Sequence, residues 1–114
     1  MSPDGTIYLI GENPTSGAVK IGWTATMAGV MSRLRAMQTG NSRELVLLHT
    51  FPGSMIEERA IHRYFRKLHV RGEWFRLDVR DLVAATTAND FIEQHAHLLG
   101  PYGGPFPTLS EVKD

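Results

Sequence analysis

The sequence contains no cysteine. That excludes disulfides, thiolate metal sites and a cysteine nucleophile, and it fits a chain kept in a reducing cytoplasm. No apolar run comes near the roughly 18 residues that a membrane-spanning helix needs. The opening residues, MSPDGTIYLI, lack the basic segment that begins a secretory signal. Neither GxGxxG nor a Walker A loop is present, so nucleotide binding by those devices is excluded. His95 and His97 are two apart and diverge on a helix, which makes them a poor metal pair. There is no internal repeat. Length admits one domain, expected over residues 1–98, with a Gly/Pro-rich tail over 99–114.

Net charge is also missing: 12 Lys/Arg balance 12 Asp/Glu. The balance hides an asymmetry. Residues 1–80 hold 11 of the bases and 7 of the acids, a surplus of +4, and the remainder carries −4. A locally basic front half is compatible with a polyanionic partner.

What is present reads as a short α+β chain. Thr6–Ile10 is a β-rich run, and Ala18–Trp23 a second. The Gly-Glu-Asn-Pro-Thr-Ser-Gly segment at 11–17 separates them as a turn, so the two strands form an antiparallel hairpin. Tyr8 and Lys20 then lie on adjacent strands, where both could face one site. Thr24 or Thr26 can cap a helix whose apolar stripe is Val30, Leu34 and Met37. Gly29 weakens its first turn and suggests a start near Val30, and Gly40 ends it as a left-handed stop. Leu45–Phe51 is a third strand, apolar enough to be expected at the centre of the sheet. The expected sheet is three-stranded and mainly antiparallel.

The stretch Glu57–Phe75, EERAIHRYFRKLHVRGEWF, organises the rest. Ser54 and Glu57 fit a reciprocal capping box that fixes a helix start. Ile61, Phe65 and Leu68 give the buried stripe. Glu58 and His62 sit one turn apart beside it. Arg63, Arg66, Lys67 and Arg71 follow as a strip that could track phosphates, with Arg35 on the preceding helix as a further cation. A final helix is expected over roughly 79–98, capped by Asp78.

Four blocks in order carry a resemblance: KIGWT, RLRAMQTGN, E-x-x-x-H and RGEWF, preceded by Ile7-Tyr8 on the first strand. Together they resemble the GIY-YIG nuclease superfamily, and within it the phage-type branch known from a bacteriophage T5 DNA-binding domain. The match covers about residues 6–77. The resemblance implies Tyr8 as the tyrosine of the first motif, Lys20 at the second motif's usual tyrosine, Arg33 as the phosphate-binding helix arginine, and Glu58 as the single metal-binding glutamate. It implies Mg²⁺ or Mn²⁺ as cofactor and DNA as substrate, with RNA as the other nucleic acid to consider. Two positions depart from the family pattern. Met37 stands where His or Tyr is frequent, and Gly72–Phe75 lacks a frequent asparagine.

The chemistry is consistent with those residue types. Phosphodiester hydrolysis needs an activated water and neutralised phosphoryl oxygens. A hard divalent ion can be held by one carboxylate, with water and phosphate completing its shell. Arg33 can clamp a phosphate with paired donors. Tyr8 is a weak base at its free pKa of about 10, and Lys20 and Arg33 are expected to lower it. His62 could shuttle a proton, support Glu58 or donate to phosphate. Trp74–Leu77 reads as a short strand or extended segment, with Trp74 and Phe75 as core and Glu73 as an anchor between helix and strand.

Three functions follow. The first is a metal-dependent endonuclease acting on DNA. The second is an inert DNA-binding module of the same fold, favoured by the two departures. The third is a regulatory protein whose acidic C-terminal half docks a protein partner. These residues are not expected to include a separate DNA-reading domain, so a homodimer, a partner or the last helix is expected to choose cleavage sites.

Overall fold

The computed structural model describes residues 5–77 and 85–96. In chain order it comprises β1 (Thr6–Asn13), β2 (Ala18–Thr24), α1 (Met27–Thr39), β3 (Glu44–Pro52), α2 (Met55–Tyr64), a 3₁₀ turn (Arg66–Leu68), β4 (His69–Arg71), β5 (Trp74–Arg76) and α3 (Ala88–His95). The strands form one antiparallel sheet in the order β3-β1-β2-β5-β4.

Alternation along the strands sorts the side chains onto two faces. Ile7, Leu9, Val19, Ile21, Phe51 and Phe75 join Ile61 of α2, Phe65 at its C-cap, and Phe91 and Ile92 of α3 in the larger core. Tyr8, Ile10 and Leu45 face the other way and pack with Val30 of α1, flanked by Leu34, Met37 and Trp74. Each fully buried Phe, such as Phe65, contributes about 1.5–3 kcal/mol over its exposed state. The sheet is therefore a partition: α2 and α3 lie on one side, α1 on the other.

The capping box forms as expected, with the Glu57 amide donating to Ser54 Oγ at 3.1 Å and the Ser54 amide to Glu57 Oε1 at 2.9 Å. This pins the start of α2 at Met55, which sets where Glu58 points. Thr26 caps α1, and its side chain accepts from the Gly29 amide at 3.0 Å.

The α+β class holds, but several details differ from the sequence expectation. The sheet has five strands rather than three, because the basic turn after α2 folds into a small hairpin with Gly72 at φ +50° and adds β4 and β5 beyond β2. β3 is an edge strand, not the centre. Its apolar run arises because both its faces are covered: Leu45 and Leu47 lie against the α1 side, and Phe51 stacks on Phe91 of α3 with ring centroids 5.7 Å apart. β1 continues through Gly11, Glu12 and Asn13, which pair with Val46, Leu45 and Glu44. α1 starts at Met27, with Gly29 inside it. Gly40 closes α1 at φ −99°, outside the left-handed region. α3 spans Ala88–His95 with Thr87 as its cap. The Asp78 cap and the tail over 99–114 lie outside the described residues.

Candidate functional site

Tyr8 sits opposite Gly22 in the β1–β2 register, and Lys20 lies two residues further along β2 on the same face. The tyrosine is 1% exposed. Its ring fills the space that a side chain on residue 22 would occupy: a Cβ there would collide with Tyr8 Cζ and the hydroxyl, and lie 2.7 Å from Cε1. The glycine of the KIG block is thus the seat of the tyrosine. The Arg33 side chain, reaching over from α1, lies close enough to Tyr8 to favour its ionised form.

Glu58 and His62 approach from α2. Glu58 is 7% exposed, rare for an acid that is not paired. Its Oε2 lies 3.9 Å from His62 Nε2. The same nitrogen is 2.8 Å from the Ile21 carbonyl of β2. A carbonyl only accepts, so Nε2 carries the proton and donates to it. The imidazole rests on Phe75 at 4.9 Å. His62 is therefore tied to the sheet, with the Glu58 carboxylate beside it.

Glu73 completes the cluster. It follows Gly72 in the β4–β5 hairpin, its carbonyl accepts from the Ile21 amide at 3.0 Å, and its carboxylate pairs with Lys20 Nζ at 3.0 Å. One candidate ligand atom each from Glu58, His62 and Glu73 lies within 4.8 Å of the others. Beside them is an open cleft of about 310 Å³ lined by Trp23, Arg33, Met55, Glu58, Arg59 and Glu73.

The electrostatics correct one expectation. The Tyr8 hydroxyl is held above its ordinary value, not below it. Burial is the main cause, with Glu73 and Glu58 adding to it, and Arg33 only opposes them. Tyr8 is protonated at neutral pH in the bare site. Glu58 is also raised, first by burial, with His62 and Glu73 pulling in opposite directions. A buried carboxylate so placed gains from a cation at the cleft. Two hard carboxylate donors at the edge of an open, polar cleft fit Mg²⁺ or Mn²⁺, whose remaining positions water and phosphate can fill. With Nε2 committed to Ile21, His62 is better placed as the support of Glu58 than as a third donor.

The structure thus gathers Tyr8, Lys20, Arg33, Glu58 and His62 around one corner. It does not gather the wider set of cations there. Arg35 is two residues past Arg33, about 200° round the helix, and does not line the cleft. Arg63, Arg66 and Lys67 are exposed and line neither this cleft nor a second one. Arg71 lines the second. Met37 packs in the smaller core. Glu73, Arg59, Trp23 and Met55 were missed as cleft residues. The signal for Glu73 was available: pairing RGEWF against KIG as antiparallel strands puts Trp74 opposite Lys20 and Glu73 beside it.

Among known families, a profile of the T5orf172 domain, a phage-type domain, matches residues 5–95. The match takes in all five strands and all three helices. No curated protein and no solved structure matches the chain.

Proposed function

The chain belongs to the T5orf172 domain family, a phage-type family of nuclease-like or DNA-binding character, and from that premise we propose that it is a metal-dependent endonuclease of GIY-YIG type that hydrolyses DNA phosphodiester bonds. The observation that supports this best is the meeting at one cleft of a buried carboxylate from α2, an arginine from α1 and a second carboxylate from the β4–β5 hairpin.

In this reading Glu58 and Glu73 hold Mg²⁺ or Mn²⁺. When bound, the ion supplies charge neutralisation on the phosphoryl oxygens and a lowered pKa for water. Arg33 faces the cleft and clamps the scissile phosphate, where its planar donors match two phosphoryl oxygens. Tyr8, protonated, buried and seated on Gly22, acts as a positioning residue behind Arg33. Lys20 pairs with Glu73 at 3.0 Å, and a cation engaging Glu73 would leave Lys20 available to phosphate. His62 acts as a positioning residue for Glu58.

A second reading, an inert DNA-binding module, is favoured by one observation: the raised Tyr8 leaves the bare site without an evident base. Plasmid DNA with Mg²⁺ or Mn²⁺ separates the two. Nicking that disappears both in EDTA and in Glu58→Ala supports the endonuclease. DNA binding that weakens with salt, without nicking in either metal, replaces it with the binding module.

A further inference from the structure

The face of the sheet that carries Tyr8 and Lys20 continues into a second cleft. It lies further along β2, toward the β1–β2 turn, and has a volume of about 290 Å³. Its walls include Glu12 of β1, Ala18 of β2, Arg71 of β4, Trp74 and Arg76 of β5, and Arg43 just before β3. The register ties it to the candidate site. Lys20 pairs with Trp74, Trp74 with Arg71, and Ala18 with Arg76. From Gly22, the seat of Tyr8, to Ala18 is four residues of one strand, about 13 Å. One DNA strand carries a phosphate about every 3.4 Å of duplex axis, so this distance spans roughly four of them.

The cleft is built for anions. Three guanidiniums line it against one carboxylate. Arg43 is held in place by two bonds: its Nε lies 3.2 Å from Glu12 Oε2, and its Nη2 donates to the Pro14 carbonyl at 2.6 Å. Three of its five N–H donors remain for a ligand. Glu12 is itself engaged by Ser16 as well as Arg43, so its charge is spent within the wall. Arg71 and Arg76 are exposed and make no ion pair among the described residues. Arg76 lies over the turn, its Nη1 within 3.9 Å of where a Cβ of Gly17 would be.

We propose that this cleft is a flanking phosphate subsite, in which Arg43, Arg71 and Arg76 hold the DNA backbone a few nucleotides to one side of the phosphate at Arg33. The proposal rests on the DNA-directed reading above and adds a direction to it: the strand runs from the Glu58 corner along β2 toward the β1–β2 turn. It moves the phosphate track off the Arg63–Arg66–Lys67 strip and onto the sheet.

The test uses the full chain and a labelled 20-base-pair DNA duplex in EDTA, so that no hydrolysis intervenes. Fluorescence anisotropy gives the affinity across a salt series for wild type, Arg71→Ala/Arg76→Ala and Arg63→Ala/Arg66→Ala. Losing two phosphate contacts lowers the slope of log affinity against log salt by about 1.8 and weakens binding at 0.1 M salt by roughly 60-fold. The Arg63/Arg66 variant keeps a slope near wild type. Arg76→Glu, a single exposed change, carries the same expectation if the double variant folds poorly. A wild-type protein that binds DNA, with Arg71→Ala/Arg76→Ala keeping its slope or Arg63→Ala/Arg66→Ala losing it, overturns the subsite and leaves the endonuclease reading standing. A wild-type protein that neither binds nor nicks DNA overturns both.

Discussion

Gly22→Ala is the sharpest structural perturbation of the site. The added methyl would fall on the Tyr8 ring, with Cε1 only 2.7 Å away and Cζ and the hydroxyl closer still. Tyr8 cannot swing aside, because it is 1% exposed and enclosed by Ile10, Val30 and Leu45. Either the hairpin opens between β1 and β2 or the ring is driven from its rotamer. Overpacking of this kind costs about 1–3 kcal/mol. For a domain of this size that lowers Tm by roughly 5–20 °C. Thermal unfolding by circular dichroism reads the loss, and a double-mutant cycle identifies its cause. In a Tyr8→Ala background the methyl has room, so Gly22→Ala should then cost little, which appears as a coupling between the two positions. A loss below about 0.5 kcal/mol for the single change, or the same loss in both backgrounds, would refute the claim that residue 22 is glycine in order to seat Tyr8.

Glu58→Gln should stabilise the metal-free fold at neutral pH while abolishing nicking. Burial raises the Glu58 carboxyl in the folded chain, so over the pH range between its unfolded and folded values the folded state binds more protons. Stability contributed by that proton is full below the unfolded value and is lost as pH rises through the folded one. Wild type in EDTA should lose Tm across that window and Glu58→Gln should not; parallel curves would contradict the assignment. Arg33→Ala should reduce nicking by roughly 10²–10³-fold, as expected for a lost charge-stabilising donor, with Arg35→Ala near wild type in the same assay. His62→Gln keeps an N–H for the Ile21 carbonyl and should retain most activity, whereas His62→Ala should lose about 1 kcal/mol of stability together with activity; equal loss of activity in both would point to proton transfer by His62 instead.

Much of the fold was legible because its signals are local. The Ser54–Glu57 box fixed a helix start, and the Val30, Leu34, Met37 and Ile61, Phe65 stripes marked two buried helix faces. Long-range placement was less legible. β3 reads as a central strand from its apolar run, but an edge strand covered on both faces carries the same pattern. Gly29 reads as a weak first turn, yet a Cβ there would collide with the Thr24 side chain, which is folded in against the helix start. β5 reads as a short extended segment from Trp74, but β4 is hidden in a basic run whose charges suggest a solvated strip. The register of the β4–β5 hairpin, not its composition, brings Glu73 to Lys20 and Arg71 to the second cleft. Sequence spacing likewise gives Tyr8 two cationic neighbours and so a lowered pKa. Burial, which spacing does not report, reverses the sign.

The measurement that bears most directly on the central claim is Mn²⁺ binding to the intact chain, followed by electron paramagnetic resonance in the presence of an uncleavable DNA duplex. The account predicts one bound ion per chain in wild type, loss of that ion in Glu58→Ala, and weakened binding in Glu73→Gln. Mn²⁺ binding that is absent from wild type, or unchanged in Glu58→Ala, would contradict it.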